Sequence, residues 1–112
     1  MPLDSDAIVV FMTAGSLDEA KLLAHSLVSN RLAACIQILP EIESIYRWQG
    51  KIERQPEVLL IGKTTRRKFS ELEAAVRRIH SYETPEIVAV SIAEASSPYL
   101  DWLIKSTADG AD

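Results

Sequence analysis

Residues 32–52 read LAACIQILPEIESIYRWQGKI, and this stretch decides the fold because it predicts a long β-hairpin. The turn between its two arms falls at Gln49-Gly50. Each arm contains a proline, Pro40 and Pro56, which predicts bends or bulges and edge positions rather than a flat central ladder.

The segments around the hairpin alternate between short β-branched runs and apolar stripes of helical spacing. They predict strand 7–12, a helix ending near 29–30, strand 32–39 extended to 48, a return strand from 51 through 62, a helix to 79, strand 87–92 and a short last helix. Ser16 and Glu19 form a capping box before the first helix, and Thr65 and Ser97 cap the other two. This β-α-β-β-α-β order predicts an α+β, ferredoxin-like fold, an antiparallel sheet with helices on one face. We expect one domain, 1–112, with an ordered core from about 7 to 105.

The composition is that of an ordinary globular protein, with 47% apolar and 25% charged residues. A net charge of −4 gives no basic field for nucleic acid or an anionic membrane. The longest wholly apolar run, 7–12, is too short for a spanning helix or an uncleaved secretory signal. A single cysteine, Cys35, suits a reducing compartment, so we expect a cytoplasmic protein.

The predicted hairpin is too long to be covered by its own subunit. At about 3.3 Å per residue its outward arm is roughly 50 Å long, whereas a domain of about 100 residues has a radius of gyration near 13 Å. The large apolar side chains of the projecting part are Ile42, Ile45, Tyr46 and Trp48. We therefore expect a closed homo-oligomer in which each hairpin lies on a neighbour.

The strongest candidate site is the segment HSYETPE at 80–86, which joins a helix to a strand. His80, Tyr82, Glu83 and Glu86 bring together an imidazole, a phenol and two carboxylates, which can bind a metal ion or pair with a cationic ligand. The alternative is a capped loop whose charges are solvated.

Further candidates lie on the strands. Lys63 ends a strand that should be central, where a lysine needs a carboxylate partner or a cavity open to water, unless it only protects a sheet edge. Tyr46 and Trp48 share one face of the hairpin and Arg47 takes the other, which favours a ligand-stacking or subunit-packing surface. Cys35 is expected to be a small buried hydrophobe rather than a nucleophile.

No motif specifies an enzyme. The sequence has no Gly-rich phosphate loop, no paired cysteines at zinc spacing and no nucleophile elbow. One cysteine and two histidines cannot build a structural zinc site within one chain. We expect a protein without catalytic activity, and an acid–base pair of Lys63 with a carboxylate is the alternative.

Several motifs together are specific enough to suggest a family. They are RLAACI at 31–36, IYRWQGKI at 45–52, EVLLIGKTT at 57–65, HSYETPEI at 80–87 and YLDWL at 99–103. In register over most of the chain, they resemble the CutA family of divalent-cation-tolerance proteins. The resemblance implies a PII-like homotrimer, a role in tolerance of divalent metals, chiefly copper, and a metal site near the subunit boundaries.

The resemblance carries over unevenly to the metal ligands. His80 keeps the histidine of the family's His-Pro-Tyr segment, with Ser81 in place of the proline. Met12 stands where some bacterial members have a copper-binding cysteine, and Ile79 stands where they have a second histidine. A thioether can bind Cu(I), but it is a weaker and uncharged ligand. The candidate metal ligands are therefore His80 and Met12.

A second set of residues carries over better, as a cluster for a small polar ligand at the subunit cleft. Its members are Tyr46, Trp48, Lys63, Tyr82, Glu83 and Glu86. The first functional hypothesis is a trimeric metal-responsive binding protein. The alternative is a PII-like signalling scaffold that binds a small polar ligand without metal dependence and engages an unknown protein partner.

Overall fold

The computed structural model describes residues 6–110 of the chain. Its elements are β1 (Ala7–Ala14), α1 (Leu17–Ser29), β2 (Cys35–Trp48), β3 (Lys51–Thr65), α2 (Phe69–Ile79), β4 (Ile87–Ser91) and α3 (Ser97–Thr107). The strands form one antiparallel sheet in the order β2-β3-β1-β4. The predicted α+β, ferredoxin-like chain order with a C-terminal helix is confirmed.

The main core lies between one face of this sheet and helices α1 and α2. Alternation along β1 directs Ile8, Val10 and Met12 to that face, where all three are buried. They belong to one cluster with the fully buried Leu23 of α1 and Leu72 of α2. Burying a side chain of this size is worth about 1.5–3 kcal/mol, so this cluster holds both helices on the sheet.

On the opposite face, α3 covers one end of the sheet, where Leu103 packs against Ala7 and Ala34. The apolar side chains that the register places on the rest of this face are Val9, Phe11, Leu39, Leu59, Ile61, Val88 and Val90, called the open sheet face below. Val88 and Val90 are 52% and 48% exposed. A single subunit therefore leaves a continuous apolar surface in water.

The hairpin of β2 and β3 projects from the subunit, as its length predicts. Its turn has positive φ at Gln49 (50°) and Gly50 (80°), the backbone of a two-residue type I′ hairpin turn. The subunit measures 46 × 25 × 22 Å because β2 and β3 run on beyond β1. Near the tip, Ile45 and Ile52 are each 62% exposed.

The two prolines behave differently. Pro40 lies within a register shift between Leu39 and Ile42, which confirms the predicted bulge. Pro56 lies in β3 without a register shift, so the predicted disturbance is absent there. The pairing of β1 with β3 ends at Val58, so at Pro56 one side of β3 has no neighbouring strand of the sheet that a proline could disrupt.

Strand β2, the first arm of the hairpin, begins at Cys35 rather than at the predicted Leu32. Helix α1 ends in a Schellman motif, in which the Leu32 N–H donates to the Leu27 carbonyl at 2.9 Å. Arg31 takes the left-handed conformation with φ of 60°. This turn uses the residues that strand propensity alone assigns to β2.

Two predicted helix caps are wrong. Thr65 is still the last residue of β3, its side chain makes no capping bond, and a 3₁₀ turn at Arg66–Lys68 leads into α2. Ser96, rather than Ser97, is the N-cap residue of α3.

The ends of the predicted ordered core lie close to those of the described residues. Residues 1–5 and 111–112 lie outside the described residues. At the C-terminal side α3 continues to Thr107, and beyond it Asp109 accepts a hydrogen bond from the buried Lys68 at 2.5 Å. Among residues 6–110 we find no helix long and apolar enough to cross a membrane.

Candidate functional site

A cleft of about 490 Å³ lies between the projecting part of the hairpin and the loop that joins α2 to β4. Its lining residues are Thr13, Ser44, Ile45, Tyr46, Trp48, Gln55, Glu57, Tyr82, Glu83, Thr84 and Glu86. Those predicted from the sequence are Tyr46, Trp48, Tyr82, Glu83 and Glu86. We call this site the hairpin cleft.

Glu57 is the buried carboxylate of the hairpin cleft, and the sequence reasoning missed it. Its residue is only 8% exposed. One carboxylate oxygen accepts a hydrogen bond from the Ser44 hydroxyl at 2.6 Å, and the other accepts one from the Tyr82 hydroxyl at 2.7 Å. Among the ion pairs of residues 6–110, none involves Glu57. Two neutral hydroxyls therefore hold this buried carboxyl group, and no described cation lies within ion-pair distance of it.

Tyr82 joins the loop to the hairpin. Burial and the hydrogen bond to Glu57 raise the pKa of the Tyr82 hydroxyl well above its ordinary value, so the hydroxyl remains a donor. The ring lies against Gly15 in the β1–α1 turn. A Cβ at Gly15 would lie 3.2 Å from the Tyr82 hydroxyl oxygen, so the tyrosine side chain would have to shift by a few tenths of an ångström to accommodate it.

His80 is buried and uses both ring nitrogens within the subunit. Its Nε2 donates to the Thr13 carbonyl at 2.6 Å, and its Nδ1 accepts the Tyr82 backbone N–H at 3.0 Å. This is the hydrogen-bonding pattern of the neutral ring with its proton on Nε2. The ring centroids of His80 and Tyr82 are 4.6 Å apart. His80 thus positions Tyr82, and in this arrangement neither nitrogen is open to an ion.

Glu19 ties the same loop to helix α1. The Ser16 hydroxyl caps the helix by accepting the Glu19 N–H at 3.1 Å, as predicted, but the Glu19 carboxylate reaches elsewhere. It accepts the Ser81 N–H at 2.7 Å and the Gly15 N–H at 3.3 Å. Burial opposes the charged form, yet the hydrogen bonds from Ser81 and Gly15 outweigh it and hold the pKa of Glu19 below its ordinary range.

The remaining predicted site residues lie away from the hairpin cleft. Met12 is fully buried in the main core, and its methyl group lies 3.6 Å from the position that a Cβ would take at Gly62. Lys63 pairs in register with Val9 and donates a hydrogen bond to Gln37. The partner of this lysine is thus an amide, and among residues 6–110 no carboxylate forms an ion pair with it. Cys35 is only partly buried.

The side chains of one subunit do not fit the copper site that the family resemblance implies. His80 has both nitrogens engaged and Met12 is enclosed by the core. Among residues 6–110, no group of three or more His, Cys, Asp or Glu side chains is arranged to hold a metal ion. The arrangement instead offers aromatic rings and carboxylates around an open cleft.

The fold and the site define a class: ferredoxin-like proteins with a long projecting hairpin and an acidic, aromatic cleft between this hairpin and the loop before β4. The chain belongs to the CutA1 divalent ion tolerance protein family, which matches residues 8–106. The resemblance found in the sequence motifs is confirmed.

Relatives cover most of the chain. The divalent-cation tolerance protein CutA of Thermus thermophilus is 48% identical over 99 residues, which are 88% of this chain and 96% of that protein. The chloroplastic protein CutA of Arabidopsis thaliana is 43% identical over 101 residues, and the match spans 90% of this chain but only 56% of the plant protein. The solved Cut A1 structure from Thermus thermophilus superposes with a TM-score of 0.90 at 46% identity and covers 91% of this chain and 99% of that one.

Proposed function

We propose that the protein is a homotrimer that serves divalent-cation tolerance by binding a small ligand in the hairpin cleft, without catalysing a reaction. The hairpin cleft carries this proposal. It brings the predicted aromatic and acidic residues of two distant segments together around Glu57. Family membership supports the link to divalent cations.

The exposed apolar surfaces support assembly. Ile45 and Ile52 on the hairpin, and Val88 and Val90 on the open sheet face, are each about half or more exposed. Surfaces of this kind normally lie against another chain. A closed ring of three subunits would cover each hairpin and leave no open edge. Because the projecting hairpin forms one wall of the hairpin cleft, a neighbouring subunit that covers the hairpin would close the outer side of the cleft.

The metal-independent alternative draws support from the same geometry. His80 acts as a positioning residue and Met12 as a core residue, so the cleft offers ligand contacts that need no copper. Under this alternative the bound ligand changes the hairpin surface, and a protein partner binds the changed surface. In this case the protein responds to the bound ligand and does not bind copper itself.

A growth experiment tests the role of the cleft in cation tolerance. In a copper-sensitive host that lacks its own family member, the wild-type chain should restore growth in added Cu(II). Glu57→Gln and Trp48→Leu should restore little, since the first removes the buried carboxylate and the second removes an aromatic wall of the cleft. Glu43→Gln is the matched control because Glu43 pairs with Arg54 on the same hairpin, outside the cleft lining.

Protein levels and trimer mass must be equal across the variants. Full rescue by both cleft variants would exclude the hairpin cleft as the functional site.

A further inference from the structure

We propose that the ligand of the hairpin cleft is an organic cation, a compound with an alkylated ammonium group, rather than a bare metal ion. This inference rests on the proposed function, because it names the chemical class that the cleft would bind.

The carboxyl groups of the cleft favour a positively charged ligand. Its lining includes Glu57, Glu83 and Glu86 and, among the described residues, no lysine or arginine. Glu57 is the critical member, since it is 8% exposed and its two hydrogen bonds come from uncharged hydroxyls. A buried carboxylate without a counter-charge is costly, and a bound cation would remove that cost.

The walls of the cleft select the kind of cation. Tyr46, Trp48 and Tyr82 contribute aromatic rings to the lining. The faces of such rings attract alkylammonium groups, and tryptophan does so best. In the isolated subunit Trp48 and Tyr46 are 47% and 37% exposed, so their own chain does not cover their rings. The Tyr82 hydroxyl is already committed to Glu57, which leaves its ring as the contact surface.

The same walls suit a small divalent ion poorly. Magnesium or calcium needs about six or more oxygen ligands at close range, and copper prefers nitrogen or sulfur. The carboxylates of the cleft do not come together in a group that could hold an ion, within residues 6–110. Their charge is spread around an aromatic surface, which matches a large cation with a diffuse charge.

Choline and 3,3-dimethylbutan-1-ol provide a matched test, because they share one shape and differ in charge. The chain has two tryptophans, so the indole N–H signals in an NMR titration of the intact protein separate the cleft (Trp48) from α3 (Trp102). Choline should shift the Trp48 signal in a saturable manner and leave the Trp102 signal unchanged. It should bind about tenfold or more tightly than the neutral isostere, as expected for a charge-assisted contact.

Variants locate the binding. Trp48→Leu, followed by calorimetry, should weaken choline roughly 2- to 30-fold, the range of a cation–π contact. Glu57→Gln should weaken it about tenfold or more, since it removes the buried charge. Glu43→Gln should bind as the wild type does. Tyr82→Phe keeps the ring and the Glu57 charge, so it should still prefer choline even if Glu57→Gln misfolds.

Each alternative outcome has a clear meaning. Equal binding of choline and its isostere, or choline binding that Glu57→Gln leaves intact, overturns the organic-cation inference. Binding of Cu(II) or Zn(II) that depends on Glu57, with no response to choline, overturns it while the proposed function stands. Growth rescue by both cleft variants would overturn the proposed function as well.

Discussion

At the scale of single residues, the site depends on contacts between side chains far apart in sequence. Glu57 receives its hydrogen bonds from Ser44 and Tyr82. His80 and Glu19, in turn, fix the backbone around Tyr82 by accepting the N–H groups of Tyr82 and Ser81. The residue expected to bind a metal therefore supports the residue that shapes the cleft.

Loss of the Tyr82 hydroxyl should destabilise the protein. In Tyr82→Phe the buried Glu57 carboxylate loses one of its hydrogen-bond donors, and the expected cost is about 1–3 kcal/mol. Tyr46→Phe is the control, because its hydroxyl bonds the exposed Gln55 at 3.0 Å and its loss should cost less than about 1 kcal/mol. Urea unfolding at fixed protein concentration measures both, and equal costs would contradict the importance of burial.

Gly15→Ala should disturb the same tyrosine. The added Cβ would lie 3.2 Å from the Tyr82 hydroxyl oxygen, so the tyrosine side chain must shift by a few tenths of an ångström. We expect a loss of about 1 kcal/mol and a coupling energy of about 0.5 kcal/mol or more with Tyr82→Phe, which removes the crowded atom. Additive effects in the double-mutant cycle would show that the two sites do not interact.

The Glu19 contacts should make stability depend on pH. A carboxyl whose pKa is lowered by folding stabilises the folded state above its ordinary pKa and loses that contribution as pH falls through the lowered value. Glu19→Gln should therefore be less stable than the wild type by about 1–2 kcal/mol at neutral pH. The difference should fade below the ordinary pKa of 4.5.

Urea unfolding across that pH range measures the effect. Glu73→Gln is the control, because Glu73 makes an exposed pair with Arg77 at 3.6 Å. A Glu19→Gln deficit that does not change with pH would show that the charge is not what matters.

At the scale of elements, the hairpin is set by its turn and by its length. Gly50 is open to solvent on every side, yet its φ of +80° is one that other residues adopt only with strain. Gly62 is the reverse case. It is buried in β3, but a Cβ there would meet neighbours only at ordinary contact distances of 3.5–3.8 Å. A glycine within a strand often marks a close backbone approach. At Gly62 the distances are long enough for an alanine side chain.

Replacement by alanine should therefore lower the free energy of unfolding more at the exposed Gly50 than at the buried Gly62. The exposed Gly50→Ala should destabilise by about 1 kcal/mol, because the left-handed backbone is strained with a Cβ. The buried Gly62→Ala should be neutral or slightly stabilising, since alanine loses less backbone entropy than glycine. Thermal unfolding of the two variants checks the order, and a larger loss for Gly62→Ala would contradict it.

At the scale of the whole molecule, the subunit leaves apolar surface in water. The hairpin and the open sheet face expose apolar side chains that no element described in the subunit covers, and the cleft lies beside them. The proposed trimer would therefore affect the site as well as solubility. Copper as the ion and a cytoplasmic location remain predictions from the sequence.

The expected assembly has a measurable mass. Light scattering should give three times the chain mass of 12.4 kDa. The double variant Ile45→Glu/Ile52→Glu should lower that mass, because charges would replace the apolar hairpin surface. Leu22→Glu is the matched control, since Leu22 is 59% exposed but lies on α1. A wild-type mass of one chain at micromolar concentration would exclude the trimer.

The sequence by itself determined the chain order of the elements, the projecting hairpin with its Gln49-Gly50 turn, and five of the eleven residues that line the cleft. These features follow from local pattern, because strand and helix periodicity, turn residues and segment length act over a few neighbouring positions. The imidazole, phenol and carboxylates of the loop at 80–86 made it the strongest candidate site in the sequence, and the family motifs include the same loop.

Only the tertiary structure decided which of these residues act together. In the sequence Glu57 is one of several charged residues on a strand, and Glu19 is part of a helix cap. Folding places Glu57 beside Tyr82 and Glu19 beside Ser81. The same folding separates Lys63 from the cleft and encloses Met12 in the core. Hydrogen bonds and burial depend on groups brought close from distant parts of the chain, so no local pattern contains them.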